Sequence, residues 1–180
     1  MNGLDVYVLE TLHALRDLTL VQVFIRITEL GSVITVCGIT LSLALYLWLR
    51  GRFAFLGGLL VTVAGASGTI FVLKELIARA RPDSMYQAYV ETGFSFPSGH
   101  AALALALYGY LVYITSLTIT RGKGIIVLSV ASLLILLIGF SRLYLGLHYI
   151  SDTLAGYLIG AAFLTAGIYV GKYLNRRAVS

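Results

Sequence analysis

Charged residues are scarce in this sequence. Of its 180 residues, 12% are charged and 59% are hydrophobic, with a mean hydropathy of +0.93, whereas soluble domains carry roughly 25% charged residues. A chain this apolar is not intrinsically disordered, and it has too few charges to hydrate the surface of a soluble globule. The composition therefore predicts a membrane protein of one domain-sized unit.

Cysteine and proline are also rare. The single cysteine, Cys37, lies within an apolar run, which excludes a disulfide framework and a cysteine metal cluster. The two prolines, Pro82 and Pro97, fall within or directly after one polar loop, residues 78–96. We expect no cleavable secretory signal, because Asp5 precedes the first basic residue and acidic residues interrupt the apolar stretch that follows.

Five apolar runs are long enough to cross the hydrocarbon core of a bilayer, which is about 30 Å thick. Glycines and other small residues inside these runs let helices approach closely in lipid, which favours a packed bundle over isolated anchors. The sequence therefore predicts an all-α, polytopic transmembrane bundle. The five predicted spans are Val33–Leu49, Phe53–Leu73, Ala101–Ile119, Ile125–Phe140 and Tyr149–Gly171.

The N-terminal segment has a different pattern. Apolar side chains from Leu4 to Leu15 recur at helical spacing, with charged residues and His13 between them. This pattern predicts an amphipathic helix at the membrane interface, with His13 on its solvated face, and a second short helix over Val21–Leu30. A sixth membrane span in this region is the alternative. The predicted divisions of the chain are an N-terminal segment (1–32), a transmembrane domain (33–171) and a basic tail (172–180).

The net charge of +5 indicates a membrane orientation and not a nucleic-acid partner, because basic residues of apolar chains accumulate in cytoplasmic loops. If five helices alternate, seven basic residues share one side, which is then cytoplasmic. Four other cations, Lys74, Arg79, Arg81 and Arg142, lie on the outer side, against this bias, which suggests that they serve another purpose. The seven cytoplasmic residues are Arg50, Arg52, Arg121, Lys123, Lys172, Arg176 and Arg177.

Three of the outer cations are candidates for binding an oxyanion. Lys74 and Arg81 are seven residues apart, so they project from one side of any helix that continues through both, and Pro82 ends that helix. Arg142 joins them from the junction of the fourth and fifth spans. Arginine binds oxyanions through two parallel N–H groups and lysine adds a point charge, so the set suits an oxyanion with several charges.

The run Pro97-Ser98-Gly99-His100 stands directly before a predicted span. A helix N-terminus offers free N–H groups and the positive end of the helix dipole, and both attract anions. Ser98 can cap the helix or donate its hydroxyl, and Gly99 lets the backbone approach a ligand closely. This run therefore predicts an anion site on the same side as the cations.

His148 and Asp152 are four residues apart at the start of the last span, so their side chains can meet. A carboxylate on one imidazole nitrogen leaves the other nitrogen free as a nucleophile or base. Taken singly, Lys74 is also explained as an interfacial anchor, and His148 with Asp152 as a structural pair. The convergence of these costly polar groups on one membrane face indicates a functional site.

Three motifs together resemble the type 2 phosphatidic acid phosphatase (PAP2) superfamily: Lys-x6-Arg-Pro at 74–82, Pro-Ser-Gly-His at 97–100 and Ser-Arg-x5-His-x3-Asp at 141–152. The resemblance implies a core of six or nearly six helices and a lipid phosphatase without metal or other cofactor. It implies that His148 attacks phosphorus to form a phosphohistidine, that Asp152 orients it, and that His100 protonates the leaving oxygen. The implied phosphate-binding residues are Lys74, Arg81, Ser98, Gly99 and Arg142, with Pro82 and Pro97 as structural residues of the motifs.

The expected substrate is a phosphomonoester or diphosphate of a lipid, hydrolysed at the outer face of the cell (inner) membrane. The resemblance implies undecaprenyl diphosphate, phosphatidylglycerol phosphate or phosphatidic acid, on which small bacterial chains of this family commonly act. Three alternatives remain: a lipid phosphotransferase with the same site, a haem protein with His100 and His148 as axial ligands, and an anion transporter. We expect substrate specificity to lie in Asp83–Ser95 and the N-terminal helix; the sequence does not indicate an oligomeric state.

Overall fold

The computed structural model describes residues 3–177, and every regular element within them is a helix, which confirms the all-α prediction. The helices follow one another along the chain with one long connection, between the fourth and the fifth. A short 3-10 turn, Ser84–Tyr86, lies in that connection. The helices are α1 Gly3–Ala14, α2 Leu18–Glu29, α3 Val33–Leu49, α4 Phe53–Ile77, α5 Gly99–Ser116, α6 Arg121–Tyr144 and α7 Ile150–Arg177.

Five helical segments of the described chain are long and apolar enough to cross a bilayer, as predicted. Four of them are α4, α5, α6 and α7, and the first runs from Leu18 to Leu49 and so combines α2 with α3. The break between α2 and α3 falls at Ser32, whose hydroxyl accepts a hydrogen bond from the Thr35 N–H at 3.3 Å and so caps α3. The first span therefore includes a short helix that the hydropathy pattern placed outside it.

Glycines on the inner face of α7 let this helix pack directly against α4 and α5. A Cβ atom on Gly156 would lie 2.5 Å from the Ser98 carbonyl oxygen, and one on Gly167 would lie 2.4 Å from that of Gly58. The close approach brings the first turn of α7 to the first turn of α5, where the Ser98 N–H donates to the Asp152 carbonyl oxygen at 3.0 Å. This packing brings the motif at 97–100 into contact with the motif at 141–152.

The exposure pattern of α1 is the reverse of that of a helix on a soluble protein. Leu4, Tyr7 and Leu15 point away from the bundle, Tyr7 being 68% exposed, whereas Asp5 is 2% exposed. An apolar outer face suits the predicted interfacial helix. The prediction of a solvated His13 is wrong: its side chain is half-buried, and its ring meets that of Tyr86 edge-on at 5.2 Å between centroids.

The loops with the predicted cytoplasmic cations lie together at one end of the bundle. Arg50 and Arg52 border the same surface depression as Thr118, in the α5–α6 connection, and Lys172 lies over the ring of Tyr113 at 5.9 Å. The predicted boundary at residue 171 falls inside α7, which continues to residue 177. The last three residues of the predicted tail, 178–180, and the first two of the N-terminal segment lie outside the described residues.

Candidate active site

The predicted common helix face of Lys74 and Arg81 is not formed. α4 ends at Ile77 because Ala78 adopts a left-handed conformation (φ 47°), with its N–H donating to the Lys74 carbonyl oxygen at 2.9 Å. Arg81 follows in an irregular stretch and still reaches the same cavity as Lys74. The Lys74 ammonium donates to the Phe94 carbonyl oxygen, which ties the end of α4 to the α4–α5 loop.

Arg81 directs its guanidinium at the loop before α7. It donates to the Leu147 carbonyl oxygen at 2.9 Å and lies 3.3 Å from Nε2 of His148. A guanidinium has only donors, so Nε2 of His148 accepts, and the imidazole proton belongs on Nδ1. That nitrogen lies 3.4 Å from Oδ2 of Asp152.

Burial and the neighbouring cations hold the pKa of His148 well below its ordinary value. The largest cause is desolvation, followed by the charges of Arg142, Arg81 and Lys74, while Glu91 opposes them. The His148 side chain is therefore neutral, with the lone pair of Nε2 directed to the Arg81 side. A neutral imidazole in this orientation can attack an electrophile.

Arg142 is fully buried at the end of α6. Its guanidinium donates to the hydroxyls of Tyr89 and Thr28 at 3.1 and 3.2 Å and to a carboxylate oxygen of Glu91. Its Nε has no hydrogen-bond partner among the described residues. A buried guanidinium with a donor left over can bind a further acceptor.

Glu91, in the α4–α5 loop, joins the two arginines. One carboxylate oxygen accepts from Arg81 at 2.9 Å and the other accepts from Arg142. The two guanidinium groups hold the pKa of Glu91 below its usual value although burial opposes this, so the side chain is ionised. The sequence prediction missed this residue as an individual, and its one signal was a carboxylate within the loop 83–95 expected to set specificity.

The Pro97–His100 motif forms the start of α5, as predicted. Ser98 occupies the N-cap position, but its buried hydroxyl does not cap the helix and has no hydrogen-bond partner among the described residues. A Cβ on Gly99 would meet only Ile70, at an ordinary 3.8 Å, so internal packing does not require glycine there. Pro97 is buried beside Ser98, and the carbonyl oxygen of Pro82 accepts from Gln87 at 2.7 Å.

A cavity of about 320 Å³ brings five of the predicted residues together: Lys74, Arg81, Gly99, His100 and His148. The other three predicted catalytic or phosphate-binding residues do not line it. Ser98 precedes Gly99 in the chain, Arg142 donates to Glu91, and Asp152 lies 3.4 Å from His148. From this polar end the cavity continues as an apolar slot between α3, α4 and α5. The side chains along the slot are Val33, Val36, Cys37, Val63, Ile70, Phe71 and Leu103.

Two further charged residues belong to the surroundings of His148. Arg79, which the sequence offered only as one more outer cation, donates to Oδ1 of Asp152 at 2.6 Å and to Oδ2 of Asp5 at 2.8 Å. No sequence pattern marked Asp5 as part of the site. Within residues 3–177 no group of three His, Cys, Asp or Glu side chains is arranged to hold a metal ion, and the pocket is cationic, which suits an anion.

Comparison with known proteins gives a consistent result. The sequence model of the PAP2 superfamily matches residues 55–176, which include all three motifs. Phosphatidylglycerophosphatase B of Bacillus subtilis (strain 168) is 38% identical over 91 residues, which cover 49% of this chain and 44% of that relative, so the match spans less than half of its length.

Two solved structures share the fold. The crystal structure of a transmembrane PAP2 type phosphatidylglycerolphosphate phosphatase from Bacillus subtilis has a TM-score of 0.78 and 27% identity, covering 96% of this chain and 85% of that one. Aquifex aeolicus LpxE has a TM-score of 0.75 and 22% identity, covering 93% of this chain and 96% of that one. The second likeness concerns the fold alone.

Proposed function

The chain belongs to the PAP2 superfamily, and from this premise we propose that it is a lipid phosphatase embedded in a membrane. The observation that carries the proposal is the shape of the cavity. Cations and two imidazoles surround one end, and an apolar slot between α3, α4 and α5 forms the other. A lipid with a phosphorylated head group matches both ends, whereas a soluble phosphate ester matches only the first.

In the proposed reaction, Nε2 of His148 attacks the phosphorus atom, and the bond between phosphorus and the lipid oxygen breaks. His100 donates a proton to that oxygen, and Asp152 stabilises the positive charge on the phosphorylated imidazole. His100 then takes a proton from a water molecule that attacks the same phosphorus atom, which frees His148 and releases inorganic phosphate. Both imidazoles line one cavity, which supports this assignment.

The proposed phosphate cradle consists of Lys74, Arg81 and the N-terminus of α5 at Gly99. These groups border the polar end of the cavity. Phosphoryl oxygens accept hydrogen bonds from cationic side chains and from the free backbone N–H groups at a helix N-terminus. The unpartnered hydroxyl of Ser98 adds a donor beside them. Glu91 occupies N–H groups of Arg81 and Arg142, so an incoming phosphate competes with this carboxylate.

The apolar slot is the proposed site of the lipid tail, and Cys37 provides a way to test it. This residue is exposed, lines the slot and is the single cysteine of the chain. A bulky maleimide should raise KM for a long-chain lipid more than about fivefold and change p-nitrophenyl phosphate hydrolysis less than about twofold. Cys37→Ser should not respond to the reagent, and equal inhibition of both substrates would contradict the assignment.

Phosphatidylglycerol phosphate is the first substrate to test, because two of the similar proteins are named for it. Purified protein in liposomes should release phosphate from this lipid faster than from undecaprenyl diphosphate or phosphatidic acid, and His148→Ala should release none.

A radiolabelled phosphoryl group that appears on a second lipid would indicate a phosphotransferase. A haem absorption band, or phosphate uptake without hydrolysis, would favour the two non-hydrolytic alternatives and overturn the proposal.

The proposed location is the cell (inner) membrane, with the site at the outer face. The seven basic residues predicted as cytoplasmic are all exposed, and the loops that carry them lie at the end opposite the cavity, which fits the positive-inside bias. A fluorescent-protein fusion at the C-terminus, which requires the cytoplasm to fluoresce, should be bright in a bacterial host. A dark fusion that is present in the membrane would reverse the orientation.

A further inference from the structure

The N-terminal helix places one carboxylate inside the bundle. Asp5, in the first turn of α1, is 2% exposed although its helix lies at the edge of the protein. It accepts from the Ser151 N–H at 3.0 Å, from the Ser151 hydroxyl at 2.9 Å and from Arg79 at 2.8 Å. This helix lies outside the part of the chain matched by the PAP2 family model.

The partner of Asp5 is also the partner of Asp152. Arg79 donates through one terminal nitrogen to Oδ1 of Asp152 at 2.6 Å and through the other to Asp5, and its guanidinium lies over the ring of Tyr149 at 4.2 Å. The second oxygen of Asp152 accepts from the Tyr149 N–H at 2.9 Å and lies 3.4 Å from Nδ1 of His148. Hydrogen bonds therefore link Asp5 through Arg79 to Asp152, and the 3.4 Å approach of Asp152 to Nδ1 of His148, which has no hydrogen-bond partner among the described residues, extends the series to the imidazole.

We propose that Asp5 is a positioning residue for the phosphatase reaction, acting through Arg79 on Asp152 so that Asp152 keeps its full negative charge toward His148. The proposal rests on the proposed function, in which His148 is the nucleophile. When an arginine pairs with a carboxylate, it offsets the negative charge of the carboxylate and weakens the attraction of that carboxylate for a cationic imidazole. A second carboxylate paired with the same arginine offsets the positive charge of the arginine. The group of Asp5, Arg79 and Asp152 therefore has one net negative charge.

The charge states agree with this arrangement. Hydrogen bonds from Arg79 and Ser151 hold the pKa of Asp5 below its usual value although burial opposes them, so Asp5 is ionised at neutral pH. Asp5 and Asp152 raise the pKa of Arg79 against the effect of burial. A residue that merely fixed α1 to the bundle would not need this charge, because the two Ser151 contacts can be made by a neutral amide as well.

The first test replaces the charge and keeps the shape. Asp5→Asn should lower kcat about tenfold or more, the effect typical of losing a group that orients a reacting residue from behind, and should leave KM within about twofold because the phosphate cradle is unchanged. The matched control is Glu10→Gln, on the exposed side of the same helix, with kcat and KM at wild-type values. Melting in detergent shows whether each variant is folded.

The second test separates charge from anchoring. In Asp5→Asn the uncompensated Arg79 neutralises Asp152, so removing that cation as well should restore part of the lost activity. The double variant Asp5→Asn/Arg79→Gln should therefore turn over faster than Asp5→Asn alone. If Asp5 only anchors the helix, the losses of kcat caused by the two substitutions multiply, and the double variant turns over more slowly than Asp5→Asn. That result would overturn the proposal.

Failure of this proposal is distinguishable from failure of the proposed function. No phosphate release by the wild-type protein, or activity retained in His148→Ala, contradicts the function. An active wild type, an inactive His148→Ala and an Asp5→Asn variant with unchanged kcat contradict the role of Asp5 alone. Should Asp5→Asn not accumulate in the membrane, Ser151→Ala decides, because it removes the hydroxyl that contacts Asp5 and Arg79 but keeps the Ser151 N–H contact and every charge. A kcat within about twofold supports the charge argument, and a loss of about tenfold overturns it.

Discussion

The two ends of the bundle both carry basic residues, but those residues are in different environments. At the end opposite the cavity the predicted cytoplasmic cations are exposed, and Arg50 and Lys172 lie over the rings of Tyr46 and Tyr113. At the cavity end Arg142 is fully buried and Arg81 nearly so, and each contacts Glu91. Solvated cations need only water, whereas buried ones need an anion. The second group is therefore the one proposed to bind a substrate.

The acidic residues follow the same division. No carboxylate occurs in the described connections at the basic end, residues 50–52 and 117–120, or in 172–177. Asp5, Glu91 and Asp152 are all at the cavity end and all are paired with arginines. The distribution of basic residues alone would make the two ends of the bundle look similar. The positions of the carboxylates distinguish the cavity end from the basic end.

The largest effect expected is that of the nucleophile. His148→Ala should lower kcat more than about a thousandfold, because the attacking atom is lost, with little change in the melting temperature in detergent. His13→Gln is the matched control, since this histidine is half-buried, meets the ring of Tyr86 and does not line the cavity, and it should keep nearly full activity. Phosphate release under saturating lipid measures both, and substantial turnover by His148→Ala would remove the nucleophile assignment.

The comparison of the two ends can be tested with one substitution at each. Arg142→Gln should lower kcat/KM about a hundredfold and reduce the melting temperature, because it removes the fully buried one of the two guanidinium partners of Glu91 and leaves only Arg81. Arg121→Gln, at the exposed basic end, should change kcat/KM less than about twofold. Similar losses in the two variants would show that burial does not separate the two groups of cations.

A smaller effect is expected for the carboxylate that occupies the arginines. Glu91→Gln removes the negative charge that competes with phosphate, so vanadate should inhibit this variant about threefold to tenfold more tightly. Glu75→Gln, an exposed carboxylate at the end of α4, should leave vanadate inhibition unchanged. Weaker inhibition of Glu91→Gln would mean that Glu91 assists phosphate binding and does not oppose it.

The pH profile gives the smallest predicted change. The pKa of His148 is lowered well below 6.5 by burial and by Arg142, Arg81 and Lys74, which outweigh Glu91. A base with a lowered pKa remains unprotonated as the pH falls, so kcat/KM should stay level below pH 6.5 and decline only in more acidic solution. A decline centred at or above pH 6.5 would show that these groups do not control His148.

Features that depend on local patterns were predictable from the sequence. The five spans follow from apolar length. The three motifs identified Lys74, Arg81, His100 and His148, which all reach one cavity, although the helix face predicted from the spacing of Lys74 and Arg81 is not formed. The early end of α4 was not predictable, because it depends on the left-handed conformation of Ala78. After that turn, Arg81 lies against Nε2 of His148, whereas Arg79, two residues before it, donates to Asp152.

The residues that the sequence did not reveal act over long separations. Asp5 meets Arg79 across 74 residues and Arg142 meets Glu91 across 51. A single carboxylate in a polar segment is usually solvated, so no local signal distinguishes Asp5 from Glu10 or Glu91 from Asp83. Only the packing of α1 and of the α4–α5 loop against the start of α7 makes that distinction.

The proposed mechanism requires that His148 carries the phosphoryl group during turnover. To test this directly, hydrolysis of a lipid with a radiolabelled phosphate is stopped by rapid denaturation of the protein without acid. The labelled residue is then located by peptide mapping. A base-stable, acid-labile label should appear on His148, be absent from His148→Ala and accumulate when His100 is replaced by Ala. Label on another residue, or turnover with no labelled protein at any time, would contradict it.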